Sequence, residues 1–396
     1  MRIGLLTYHW AANYGANLQM YSTYSFLKKS GCNPILINWI PESGKNYYKV
    51  VSGLAQLECH HKFFIDRCDT TREFSDVSEY PVILKEYGIT HVIVGSDSVL
   101  NIIKDRYDWL HLKKIVNTVD HTFPNPFWCD SIDIPHSLLS VSSQNANYRD
   151  FAGQRKEIGD ALKRFVTITV RDTWTQSMVS FFTDGSITPK ITPDPVFGFN
   201  ENVNDTLTRE LIRKKFDLPE RYVLFTFNNG RMKAPLKWVY TIKKLFNDKG
   251  YSCVYLPRST DSQELHLDAK IDMPIDPLDW YDIIRYSNGY IGVLMHPIVV
   301  CLHNSVPCFS FDHYGNGPIL LANKKSSKIY DIMEKADVLS CHYFLRNHLK
   351  FPSPYYVYNC IMDFPESKIK LFSSKMQKEC TENMSKIVSE LKYNKE

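Results

Sequence analysis

The sequence predicts an α/β protein built from two doubly wound, Rossmann-like domains that face each other across a cleft. Three observations lead there. At 396 residues the chain is too long for one ordinary core and suits two domains of roughly 150 to 200 residues each. Short, nearly continuous apolar runs, suited to a sheet covered on both faces, alternate with segments of helical spacing. That alternation runs twice, and between the two series "ITPDPVFGFNENVND" carries the prolines and asparagines of a linker, expected near 193 to 206.

In the first series "RIGLLTY" reads as a buried strand. "GANLQMYSTYSFLKKSG" follows as a helix, with Met20, Tyr24 and Leu27 on one face and a stop at Gly31, and "NPILINWI" returns as a strand. Residues 41 to 80 are polar and aromatic and receive no assignment. A helix and a strand at 90 to 94 follow in "PVILKEYGITHVIVGSDS", and 101 to 136, with Pro124, Pro126 and Pro135, read as a long surface excursion. "HSLLSVSS" and "VTITV" are strands around a helix in "YRDFAGQRKEIGDALKRF". The second series runs through "RYVLFTF", a helix near 236 to 249, "SCVYLP", a helix near 277 to 286, "GYIGV", a helix starting near His296, and "VPCFSF". Domains are therefore expected at 1–200 and 205–340, with 341–396 as a tail whose helix can cross back to the first domain.

Composition excludes several classes. Hydrophobic residues at 44% and charged residues at 23% are ordinary globular values and argue against disorder. The net charge of +4, without a run of like charges, lacks the footprint of a nucleic-acid binder. Ten scattered cysteines form no C-x-x-C pair and no zinc ladder, and are read as reduced core residues, with no metal expected. No signal-peptide core and no apolar run of about 18 residues stand out, so a cytoplasmic protein is expected, with a visit to a membrane surface left open.

In an open parallel sheet, ligands bind outside the carboxyl ends of the strands. Five such ends hold unusual residues: His9 to Gly15, Gly95 to Asp97, Arg171-Asp172, Asn228 to Lys233, and Met295-His296. The first is not G-x-G-x-x-G, so a dinucleotide loop loses its best support. Gly15 would let a ligand approach free N–H groups, and the amides of Asn13, Asn17 and Gln19 suit sugar hydroxyls. Equally, Asn13 can cap the helix while Tyr14 packs. Asp97, beside Ser96, can orient or deprotonate a hydroxyl or can cap a helix. Arg171 can grip a phosphate or carboxylate or form an ion pair, and Asp172 can cap the next helix or hold that arginine. His296, just before Pro297, can shuttle a proton at a helix start or sit as a core histidine. Arg231, Lys233 and Arg258 follow strands of the second series; with Arg171 and His296 they could line one side of the cleft with positive charge.

The chain resembles the polysaccharide pyruvyltransferase family. The resemblance rests on "NYGANLQMYSTYSFL" at 13 to 27, "HVIVGSDSVLN" at 91 to 101, "ITVRDTWTQSMV" at 168 to 179, "TPDPVF" at 192 to 197 and "GYIGVLMHPIVVCLHNSVPCFSF" at 289 to 311, in the family's order. It implies a glycosyltransferase-B-like fold and transfer of pyruvate from phosphoenolpyruvate onto two sugar hydroxyls as a cyclic ketal, with no further cofactor. By the resemblance Arg171 binds the donor and His296 supplies a proton. Asp97 is added from its own position as the residue that handles the acceptor hydroxyl. Arg258, Arg231 and Lys233 are expected on the donor, and Asn13, Tyr14, Gly15, Asn17, Gln19 and Ser96 on the acceptor.

Two departures stand out. Where the family commonly writes G-S-R-x-H, this chain has Gly292-Val293-Leu294-Met295-His296, and the usual arginine is Leu294. Ser98 and Leu100 stand where members tend to have Gln and Trp after G-S-D. The expected substrate is a hexose, galactose first, of a bacterial surface polysaccharide such as a capsule, with a lipid-linked oligosaccharide as one acceptor form and the inner membrane face as one location. The alternatives are a nucleotide-sugar glycosyltransferase of the same fold and a degenerate glycan-binding protein.

Overall fold

The computed structural model describes residues 1–107, 114–115, 118–228, 233–258, 263, 265–315, 317–318, 320–348 and 350–393, with backbone alone at 106–107 and 114–115. The chain divides into two compact units. Unit 1 comprises Met1–Tyr48, Phe64–Val203 and Glu379–Glu396, and unit 2 comprises Lys49–Phe63 and Asn204–Lys378.

Unit 1 is built on strands β1 (Arg2–Leu6), β2 (Asn33–Leu36), β3 (His91–Val94), β6 (His136–Val141), β7 (Thr167–Val170) and β8 (Lys190–Ile191), between which fall the short antiparallel pair β4 (Arg106–Tyr107) and β5 (Lys114–Ile115). The described sheet order is β2-β1-β3-β6-β7-β8, every pairing parallel. A parallel sheet carries helices on both faces, which is why Ile3, Leu5, Leu6, Val92 and Val94 are all sealed from solvent. The order reverses at β1 and β3, where the sheet opens a crevice at its carboxyl edge.

Unit 2 repeats the plan with β9 (Tyr222–Thr226), β10 (Ser252–Tyr255), β11 (Ala269–Lys270), β12 (Gly289–Gly292), β13 (Cys308–Asp312) and β14 (His342–Phe344), in the parallel order β11-β10-β9-β12-β13-β14. The helices Leu236–Asn247, Pro277–Arg285 and Met295–Asn304 fall where the spacing predicts them. Here the reversal lies at β9 and β12.

Two stretches and two cysteines differ from the sequence reading. Residues 41 to 80 hold two helices, Glu42–Ser52 and Leu54–Arg67. Within unit 2, Gln56 imitates a strand partner: its Nε2 donates to the Ile275 carbonyl at 2.9 Å, and its Oε1 accepts from the Ile275 N–H at 2.8 Å. The expected linker near 193 to 206 does hold the boundary between the units, at Val203 and Asn204, but its first part is core. Asp194 caps a 3-10 turn over Pro195–Gly198, and Val196, Phe197 and Phe199 are fully buried in unit 1. Prolines there shape a turn, while the apolar residues between them fill the unit. The cysteines are not uniformly core either, since Cys59 and Cys360 are partly exposed. The last helix runs over Glu366–Tyr393; its residues from Glu379 onward belong to unit 1, where Ile387 and Leu391 are buried. No helix among the described residues is long and apolar enough to cross a membrane.

Candidate active site

In unit 1 the carboxyl edge is a dense polar network. The loop after β1 folds onto its own chain: the Thr7 hydroxyl donates to the Ser96 carbonyl at 3.1 Å, and the His9 ring bonds the Thr7 carbonyl at 3.0 Å and Asn38 Oδ1 at 2.9 Å. Asn13 caps the helix Tyr14–Lys29 by accepting from the Gly15 N–H at 3.1 Å. Asn17 donates to the His9 carbonyl at 2.7 Å, and Gln19 donates to Asp194 Oδ2.

These contacts tie most of the acceptor candidates into unit 1. Asn17, Gln19 and Ser96 have no exposed surface, and their hydrogen bonds brace the fold rather than face a sugar. Tyr14 is packed at 5% exposure and Gly15 is buried in the first turn. Buried amides must find partners inside the protein, and these found them within unit 1. Asn13, half-buried, is the member of that set with surface remaining.

At the end of β3 the backbone turns sharply. Gly95 has φ +118, and a Cβ built on it would come within 2.5 Å of the Leu139 carbonyl oxygen and 2.7 Å of Val141 Cγ1. Only glycine fits against β6 there. The next peptide, Gly95–Ser96, is cis, and Asp97 takes φ +80, a left-handed conformation that carries a conformational cost in any residue with a side chain. The Ser142 N–H donates to the Asp97 carbonyl at 2.8 Å and holds this turn to the neighbouring strand. The Asp97 carboxylate accepts from the Ser98 N–H at 2.7 Å and the Ser98 hydroxyl at 3.2 Å.

Arg171, at the end of β7, reaches the same place. Its Nη1 donates to Asp194 Oδ2 at 2.8 Å and its Nη2 lies 3.7 Å from Asp97 Oδ1. One guanidinium thus faces two buried carboxyl groups. Arg171 belongs to unit 1, where it pairs with Asp194 beside Asp97. Asp172 caps the helix Thr173–Phe182 through the Thr175 N–H at 2.7 Å, so it serves the helix rather than the arginine. Asp194 had received no role from the sequence; its signal was the "TPDPVF" motif, in which an aspartate before proline reads as a turn.

In unit 2 the carboxyl edge holds the remaining candidates. A Cβ on Gly292, at the end of β12, would lie 2.2 Å from the Tyr290 hydroxyl oxygen and 2.9 Å from the Thr226 carbonyl oxygen, so glycine is required for this close packing. Leu294 then occupies the N-cap of the helix Met295–Asn304 and offers no side-chain hydrogen bond to it. A helix start capped this way leaves first-turn N–H groups for an anion. His296 is the second helical residue and is 9% exposed. Lys233 and Arg258 are exposed and follow β9, which pairs with β12, and β10, which pairs with β9 on its other side. Arg231 lies outside the described residues.

A residue missed from the sequence stands at the end of β13. Asp312 is fully buried and accepts from the Ser327 hydroxyl at 2.6 Å and the Tyr314 N–H at 2.8 Å, with His342 Nε2 3.5 Å away. Burial pushes its carboxyl up to about 7 against the downward pull of those two hydrogen bonds, and burial pushes His342 down to about 4. Among the described residues, no group of three or more histidines, cysteines or carboxylates is placed to hold a metal ion.

With this geometry in view, the sequence matches the model of the polysaccharide pyruvyl transferase family over residues 13–315. The chain belongs to the polysaccharide pyruvyl transferase family. The match takes in the strand ends of both units, from Asn13 to the β13 aspartate. No curated protein matches this pyruvyl transferase family member in sequence. Its fold is similar to that of UDP-GlcNAc 2-epimerase from Neisseria meningitidis bound to UDP-GlcNAc, at a TM-score of 0.55 and 10% identity over 100% of both chains. It is also similar to the S. aureus MnaA–UDP structure, at 0.50 and 10% identity over 99% of this chain and 96% of that one. A ugt transferase from Siraitia grosvenorii in complex with UDP follows at 0.50 and 9% identity, over 98% and 99%. At such identities the likeness speaks for the fold alone, a glycosyltransferase-B-like pair of Rossmann-like units.

Proposed function

We propose that this family member moves the pyruvyl group of phosphoenolpyruvate onto two hydroxyls of a hexose, galactose first, in the precursor of a bacterial surface polysaccharide. One sugar hydroxyl adds to the enol carbon while the methylene gains a proton; phosphate departs; the second hydroxyl closes the ketal. Of the two hydroxyl protons, one ends in the new methyl group and the other leaves with phosphate. His296 is the proposed proton donor, aided by the open first turn of its helix. Asp97 is proposed to receive the acceptor hydroxyl, with Arg171 and Asp194 positioning it. Lys233 and Arg258, and Arg231 in the same role, are proposed to meet the donor's negative charge where the family's arginine is replaced by Leu294.

The observation that carries this reading is the family match from 13 to 315, which includes Asp97, Arg171 and His296. A lipid-linked acceptor, and with it work in the cytoplasm at the inner membrane face, extends the same proposal. The test incubates the purified protein with phosphoenolpyruvate and a panel of galactosides. Released phosphate together with a sugar heavier by pyruvate less water is expected, and neither appearing would sink the proposal. In the same assay Leu294→Arg is expected to lower the donor's KM. Calorimetry with UDP-sugars probes the alternative suggested by the UDP-bound structures of similar fold; tight binding there and none to phosphoenolpyruvate would favour a nucleotide-sugar enzyme.

A further inference from the structure

Cys341 closes the 3-10 turn Leu339–Cys341 that leads into β14, and Cys360 lies on the helix Pro354–Met362, both in unit 2. The two meet. The Cys341 thiol donates to the Cys360 carbonyl oxygen at 3.7 Å, and the Cys360 thiol donates to the Ser340 carbonyl oxygen at 3.3 Å. Each sulfur thus lies against the backbone beside the other cysteine, the closeness that a disulfide first requires. Cys341 is 3% exposed, whereas Cys360 is partly open to solvent.

We infer that Cys341 and Cys360 form a peroxide-responsive dithiol, with Cys360 as the attacking thiolate and Cys341 as the thiol that resolves it. The neighbouring Cys341 and Tyr356 side chains hold the Cys360 thiol below its ordinary value against the effect of its burial, while Cys360 and burial push the Cys341 thiol up. An exposed thiol of lowered pKa beside a sheltered partner is the pattern of a redox-sensing pair. The Cys360 thiolate attacks one oxygen of hydrogen peroxide, the O–O bond breaks, and hydroxide takes up a proton to leave as water, giving a sulfenic acid. Cys341 sulfur then displaces the sulfenic hydroxyl as a second water. Two thiols and one peroxide thus become one disulfide and two waters.

The bond would close the chain from 341 to 360 into a ring that contains Arg346, whose guanidinium holds the Gly315 and Gly317 carbonyls in the loop after β13. Unit 2 also supplies an internal control. Cys301 and Cys308 are neighbours too, Cys301 pushing the Cys308 thiol up, but both are fully buried, so peroxide in solution does not reach them.

The experiment treats the folded, full-length chain with hydrogen peroxide, blocks remaining thiols with an alkylating agent and maps the peptides. A linked pair of peptides carrying Cys341 and Cys360, released by dithiothreitol, is the expected result. Cys360→Ser is expected to abolish the link, and Cys341→Ser to leave a sulfenic acid at Cys360 that dimedone captures. The inference is overturned if Cys360 stays alkylatable after peroxide has oxidised a free small thiol in the same tube, or if Cys301 and Cys308 link as readily.

Discussion

Arg171 donates to Asp194 across 2.8 Å, and each side chain is only 3% exposed. A buried ion pair contributes little net stability as a whole, yet losing one partner strands a charge in a low-dielectric interior. Asp194→Ala should therefore cost about 3 to 5 kcal/mol in denaturant unfolding, with Asp194→Asn costing less because the amide still accepts from Arg171. An Ala variant as stable as the parent would show that the pair does not organise unit 1. Turnover should fall in both variants, since Asp97 loses the brace behind its 3.7 Å contact with Arg171.

Gly95 makes a second test of the same corner. With φ +118 and the Leu139 carbonyl oxygen 2.5 Å from where a Cβ would stand, Gly95→Ala must displace β6 or change its own backbone. A loss on the order of 1 to 3 kcal/mol is expected from strain alone. Thermal unfolding measures it, and an unchanged midpoint would contradict the geometry.

For His296, the expected signature separates chemistry from folding. His296→Gln keeps the volume and removes the ionisable ring, so turnover should fall about 100-fold or more while the unfolding midpoint stays close to that of the parent. A variant that unfolds early but turns over normally when folded would assign His296 to packing.

Asp312 sets a pH dependence whose sign follows from burial. Its folded value of about 7 lies above the ordinary value of about 4, so the folded state keeps a proton that the unfolded chain releases. The stability this provides is whole below about pH 4 and is lost as pH rises towards and through 7. Asp312→Asn cannot titrate. The parent's stability relative to the variant should decline by about 2 to 4 kcal/mol between pH 4 and pH 8, read from denaturant unfolding. His342, pushed down to about 4 by burial and by Lys324, gives the opposite slope below about 6.5. A flat difference would mean that Asp312 is ionised throughout.

What the sequence determined by itself is the part of the molecule governed by neighbours in the chain. Apolar runs such as "IGLL" and "YIGV" announce strands covered on both faces, helical spacing announces the segments between them, and Asp172 before Thr173 announces a cap. The strand ends followed, and with them the candidates Asp97, Arg171 and His296. Tertiary structure decided which polar groups answer one another. Gln19 and Asp194 are 175 positions apart yet share a hydrogen bond, Arg171 stands between Asp97 and Asp194, and Asp312 is enclosed by Ser327, Tyr314 and His342. No local pattern encodes those choices, because a buried polar group takes whatever partner the packing brings near enough to offset the cost of leaving water. For the same reason the turn after Asp194 read as a linker, and Cys360 read as core until the fold set it beside Cys341.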